Sequence, residues 1–394
     1  MSDPTGAGFP FGMDPDAFRD APLFRELQRV MASSSGPINW ELARQVGIAT
    51  ALEAGPDPDP GEEDRRVLGE AVRVAELHVS SFTGMDAPAD VAVARAVRRA
   101  EWVTANAEGL RGLLEPAATR MGDALDRAMR EQVPDGIGPM SGLLTQLGPL
   151  LQGTQVGQVF GFLATRVLGQ YDIAVPREGG AGTLLFVVAN LAAFEKDWSL
   201  DPVEFRTFVA LHEVTHRMEF ARPWMPARFR ELVDDFLSTL TIDVAAIQER
   251  FASLDPADPE AMQRAFGIED DAVFGAVLDP EQRIKLGRIQ AFMAAAEGYA
   301  DHVMHALGAT LLSSHAMIEE AMRRHREDEA TDPVFERLLG VDLKREQYAA
   351  GRRFCDSVVE QTDEATLARM WESADAMPSL PEIEEPLLWL SRTV

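Results

Sequence analysis

The stretch Phe208-Val-Ala-Leu-His212-Glu213-Val-Thr-His216-Arg-Met-Glu-Phe220 decides how this chain is read. Its core is His212-Glu213-x-x-His216. Residues four apart on an α-helix share a face, so His212 and His216 can present two imidazoles to one metal ion. Glu213 projects about 100° round from His212, within reach of a water at that metal. The helix has a readable start: Asp201 as N-cap, Pro202 at the first position and Glu204 to complete a capping box. It should stop by Arg222, because Pro223 and Pro226 follow. Phe205, Phe208 and Val209 form an apolar stripe that becomes the ligand face in the later turns.

A catalytic zinc takes three protein ligands and keeps a position open for water. The extended metzincin pattern needs Gly and His at the positions held here by Glu219 and Arg222, so it is excluded. The better source is Ala295-Ala-Glu297-Gly-Tyr299-Ala-Asp301-His302, on a largely apolar helix where an unpaired carboxylate is costly. Glu297 is the expected third ligand. Asp301, one turn on, is expected to hold a ligand imidazole from behind. The competing reading of Glu297 is an ion pair with Arg283, Arg288 or an arginine from elsewhere in the chain. Asp301, His302 and His305 are substitute ligands, and Tyr299 and His302 are candidates to stabilise an oxyanion. The Glu297-x-x-x-Asp301 arrangement is the companion motif of the gluzincins. His315 and His325 read as surface histidines.

The 394 residues are 46% hydrophobic and 26% charged, an ordinary globular balance. A net charge of −27 argues against nucleic acid and against anionic membrane surfaces. The single cysteine, Cys355, rules out a disulfide framework and reads as a small core residue. The start of the chain shows neither a basic region nor an apolar run, so a cytoplasmic location is expected. The apolar runs are too short to span a membrane.

The rest of the chain reads as helices. Asn39 caps one, and Pro56-Asp-Pro-Asp-Pro-Gly launches another from Glu62 to about Ser81. Further helices are expected over 90–114, 116–131, 227–247, 279–308, 313–327, 332–339, 343–360 and 363–371. Gly153-x-x-x-Gly157-x-x-x-Gly161 lies within a helical pattern and predicts a flat face for close backbone packing. Strand candidates at 170–176 and 183–189 flank a Gly-rich turn and suggest a hairpin beside the site helix. The fold class is therefore mainly α (α+β), with a small sheet. Residues 1–35 read as a flexible Gly/Pro-rich leader, followed by a unit over 36–394 with lobes at 36–169 and 170–394.

Ser35-Gly-Pro-Ile-Asn-Trp40, Val167-Leu-Gly-Gln-Tyr-Asp172, Leu211-His-Glu-Val-Thr-His216, Glu297-Gly-Tyr-Ala-Asp-His-Val-Met304 and 342–354 resemble the actinobacterial zincin-like metallopeptidase type 2 family. The resemblance runs in order from about residue 36 to the end. It implies a mostly helical zincin-like fold with one Zn2+ held by His212, His216 and Glu297. The expected activity is zinc-dependent hydrolysis of a peptide or protein, with Glu213 as general base. The rival reading is a helical partner-binding scaffold whose zinc is structural or vestigial. A protein side chain closing the fourth coordination position would favour that rival.

Overall fold

A computed structural model describes residues 36–132, 139–171, 183–239, 280–328 and 345–393. The leader, the helix expected at 332–339 and most of the first strand candidate lie outside the described residues.

The first helix of the described residues is α1 (Trp40–Glu53), capped by the Asn39 side chain accepting from the Leu42 N–H at 3.0 Å. Next comes α2 (Glu62–Thr83), which ends at Gly84 in the left-handed region, φ 65°. The stretch read as one helix over 90–114 instead forms strand β1 (Val93–Val97) and helix α3 (Arg99–Gly109). The break is at Arg98, whose extended backbone N–H is capped by the Glu101 carboxylate at 2.9 Å. Valines at 91, 93 and 97 have the alternation of a strand rather than a helix. After α4 (Arg111–Gln132) and α5 (Pro139–Ala164), strand β2 (Thr183–Val187) pairs with β1 in parallel, Val93 opposite Thr183 and Val97 opposite Val187. The strand pair seen beside the site is thus a parallel one, while the turn and most of the first strand of the suggested hairpin lie outside the described residues. Its strands come from distant segments, which parallel pairing requires.

The later helices are α6 (Val188–Asp197), α7 (Pro202–Phe220), α8 (Trp224–Ser238), α9 (Pro280–Leu311), α10 (His315–Asp328) and α11 (Arg345–Gln361). Short helices α12 (Glu364–Ala368), α13 (Leu380–Glu384) and α14 (Pro386–Thr393) finish the chain. The tail docks through Trp389, whose buried indole donates to the Ala376 carbonyl at 2.8 Å.

Two glycine contacts set the architecture. Gly153, Gly157 and Gly161 of α5 lie on α1; a Cβ on Gly157 would meet the Ala43 carbonyl oxygen at 2.5 Å. The flat glycine face predicted from spacing is thus met by another backbone. Gly298 of α9 and Gly351 of α11 meet the same way: a Cβ on Gly298 would lie 2.5 Å from the Arg352 nitrogen. That crossing fixes the register of α9, and with it Glu297, the neighbour of Gly298.

Helix α7 packs between α2 and α9. Phe205, Phe208, Leu211 and Val214 are buried in the core. Its two buried arginines are paired, as buried cations must be. Arg206 bridges Glu195 at 2.6 Å and Asp64 at 2.8 Å. Arg217 reaches Glu76 at 2.7 Å and Asp90 at 3.2 Å. Asp201 caps α7 by accepting from Val203 and Glu204 N–H groups, both at 3.0 Å. The Glu204 carboxylate does not close the expected capping box. It accepts instead from the Ser314 N–H at 2.7 Å, at the entrance to α10.

Candidate metal centre

His212 and His216 lie one turn apart on α7, their rings perpendicular and 4.5 Å between centroids. From α9, Glu297 reaches toward both. Its Oε2 is 4.0 Å from His212 Nε2 and its Oε1 is 3.8 Å from His216 Nε2. All three donor atoms lie within 4.8 Å of one another. Zinc bonds of about 2.1 Å put two ligands of one ion at most about 4.2 Å apart, so both histidine–glutamate separations fit a shared cation. Two imidazoles and a carboxylate form a donor set suited to zinc. His216 is fully buried and its Nε2 has no hydrogen-bond partner. Such a nitrogen costs about 1–3 kcal/mol unless something binds it. His212 and Glu297 keep 13% and 17% of their side-chain surface exposed, so the centre has an open side. Among the described residues no fourth His, Cys, Asp or Glu joins the group.

The other ring nitrogen of His216, Nδ1, is 2.8 Å from the carboxylate of Glu219. The imidazole partner anticipated at Asp301 is, for His216, Glu219. Burial disfavours charge on His216, but Glu219 and Glu297 outweigh it and hold its pKa well above the ordinary value. Burial pushes the Glu219 carboxyl up to about 7 against the opposing pull of His216. Phe220 stacks on the His216 ring at 5.6 Å, and Tyr171 tilts over it at 6.1 Å.

Glu213 is fully buried, and its side chain runs into the loop after α5. Its Oε2 accepts from the Gln170 and Tyr171 N–H groups, each at 2.8 Å. Two backbone donors on one carboxylate oxygen fix the direction of the side chain. Gly169 makes room, since a Cβ there would overlap the Glu213 carboxyl. Trp102 holds the loop by donating its indole N–H to the Gly169 carbonyl at 3.1 Å. The loop that grips Glu213 thus also carries Tyr171, which touches the metal centre.

The remaining expected site residues are placed elsewhere. At about 100° per residue, Tyr299 and His302 face well away from Glu297 around α9. Tyr299 packs edge-on to Trp371 at 5.1 Å, and burial drives its hydroxyl pKa far above the usual value. His302 bridges Asp356 at 2.7 Å and Glu364 at 3.1 Å. Burial opposes its charge, and those two carboxylates still raise its pKa. Both residues tie α9 to neighbouring helices, so neither keeps the oxyanion role. Asp301 lines a cavity with Phe208 and Met304. His305 pairs with Glu319 rather than joining the metal centre. His315 is buried, not superficial. Cys355 is a buried core thiol, its pKa raised by burial.

The zincin-like metallopeptidase family model matches residues 38–390, nearly the whole chain. The chain belongs to this family. It is also similar to the crystal structure of "a putative hydrolase with a novel fold" from Chloroflexus aurantiacus. That similarity has 30% identity and a TM-score of 0.63, and covers 90% of this chain and 98% of the other. No curated protein matches the chain. Sequence reasoning missed three parts of this zincin-like site: Glu219, the loop Gly169–Tyr171, and Trp102. Glu219 left a signal, an acid three residues beyond His216 on the same helix. The others left none, because their contacts span 43 and 67 residues of chain.

Proposed function

We propose that this member of the family is a zinc-dependent peptidase in which His212, His216 and Glu297 hold the metal and Glu213 is the general base. The observation carrying the reading is the convergence of those donors from α7 and α9, with a buried, backbone-clamped carboxylate next to the first ligand in sequence. Zinc, when bound, lowers the pKa of a water to about 7 and polarises a carbonyl. Glu219 keeps the Nδ1–H of His216 engaged, so that Nε2 faces the cation. Glu213 takes a proton from the attacking water and passes it to the leaving amine. The two N–H donors hold its carboxylate in one orientation. The open side at His212 and Glu297 gives a substrate carbonyl access. That opening, and the lack of a fourth protein donor among the described residues, favours catalysis over a structural zinc.

The test is Glu213→Gln. Metal content should stay at the wild-type level while cleavage of a peptide library is lost, whereas His212→Ala should lose both. Undiminished turnover in metal-loaded Glu213→Gln protein would remove the assigned base.

A further inference from the structure

We propose that a second divalent-cation site of the zinc class is formed by His305 of α9 with His315 and Glu319 of α10. The three donor atoms lie within 4.8 Å of one another. His305 Nδ1 is paired with Glu319 Oε1, and His315 Nδ1 lies 4.0 Å from Glu319 Oε2. The His315–Glu319 separation is too long for a hydrogen bond. It is within the span of about 4.2 Å that two ligands of one zinc can occupy. The two rings stand 5.1 Å apart and tilted, both presented to the same carboxylate.

His315 is clamped in this orientation. A Cβ on Gly308 would come within 2.5 Å of His315 Cδ2 and 2.9 Å of Nε2, so that edge of the ring lies on the α9 backbone. Nε2 is buried with no hydrogen-bond partner, while Nδ1 turns toward Glu319. Phe208 packs against the ring at 6.1 Å. Arg352 lies 3.6 Å from Glu319 Oε1 and competes with a cation for the carboxylate.

The site borders a cavity of about 390 Å³ lined by Phe208, Asp301 and Met304 among others. Phe208 lies one turn before His212, and Asp301 one turn after Glu297. A second cation here would pin the start of α10 to α9 at the wall of a space neighbouring the first centre.

The experiment measures zinc and cobalt stoichiometry by mass spectrometry and cobalt absorption, on full-length protein stripped and reloaded. It uses a His212→Ala/His216→Ala background, so the result does not depend on the first centre. That background should keep one equivalent, which Glu319→Ala or His315→Phe removes while circular dichroism holds. If a variant loses helicity, Glu319→Gln replaces it and should weaken binding at least about tenfold. Arg352→Gln should tighten binding by freeing the carboxylate. Background protein that binds no stoichiometric metal overturns the proposal. So does an equivalent that survives loss of Glu319, or an Arg352→Gln variant that binds more weakly.

Discussion

The described residues hold two groups of two histidines and one glutamate, and they are built differently. In the first, one helix supplies both imidazoles at a spacing of four, and the carboxylate arrives from α9. In the second, α9 supplies one imidazole, and α10 supplies the other together with the carboxylate. The first has a buried acid, Glu219, behind the His216 ring, and the backbone-clamped carboxylate of Glu213, the proposed proton acceptor, beside it in sequence. The second has an arginine, Arg352, at its carboxylate. The difference lies in the groups that face the trio.

The strongest way to break this contrast is to remove the acceptor. Glu213→Gln should cut kcat on a peptide substrate by roughly 10²–10⁴-fold with metal content unchanged. Gly169→Ala tests whether the loop clamp matters by itself. Its methyl group would push on Glu213, so kcat should fall by about tenfold or more while KM and metal content hold. Glu219→Gln should weaken zinc binding by about 10–100-fold, measured by competition with a chelator, because the acid orients His216 from behind. In the second group Gly308→Ala should displace the His315 ring and cost about 1–3 kcal/mol of stability in chemical denaturation. It should also weaken binding of the second metal equivalent.

The smallest effect concerns Glu204, which joins the two regions by tying α7 to the start of α10. Hydrogen bonds from the Ser313 and Ser314 side chains, and from the Ser314 backbone, lower its pKa to about 2 from 4.5. A carboxyl lowered on folding adds stability above its unfolded pKa and loses it as pH falls through the folded value. The melting-temperature difference between wild type and Glu204→Gln should therefore be constant above about pH 5 and shrink toward pH 2. A difference that grows on acidification would contradict that sign.

Legibility followed the range of the interactions. The helix caps at Asn39 and Asp201, the helix α2 and the glycine face of α5 could be read because their causes lie within a few residues. The pair His212 and His216 could be read because helical geometry alone puts them on one face. Tyr299 and His302 misled because their neighbourhood in sequence to Glu297 says nothing of which helices meet the other sides of α9. His315 looked superficial for the same reason: its burial comes from Gly308 and Phe208, contacts that spacing on its own helix does not encode.

By itself the sequence determined the mainly helical character, the start of the site helix, the paired imidazoles and a short list of acids that could complete the set. Those follow from periodicity, capping and the 3.6-residue turn, which are local. Only the tertiary structure decided that β1 pairs in parallel with β2, that Glu213 is gripped by the Gln170 and Tyr171 amides, and that Glu219 backs His216. It also decided that a second trio forms where α9 meets α10. These depend on which distant segments meet; glycines at 298 and 351 let the α9 and α11 backbones approach, and Gly308 leaves room for the His315 ring.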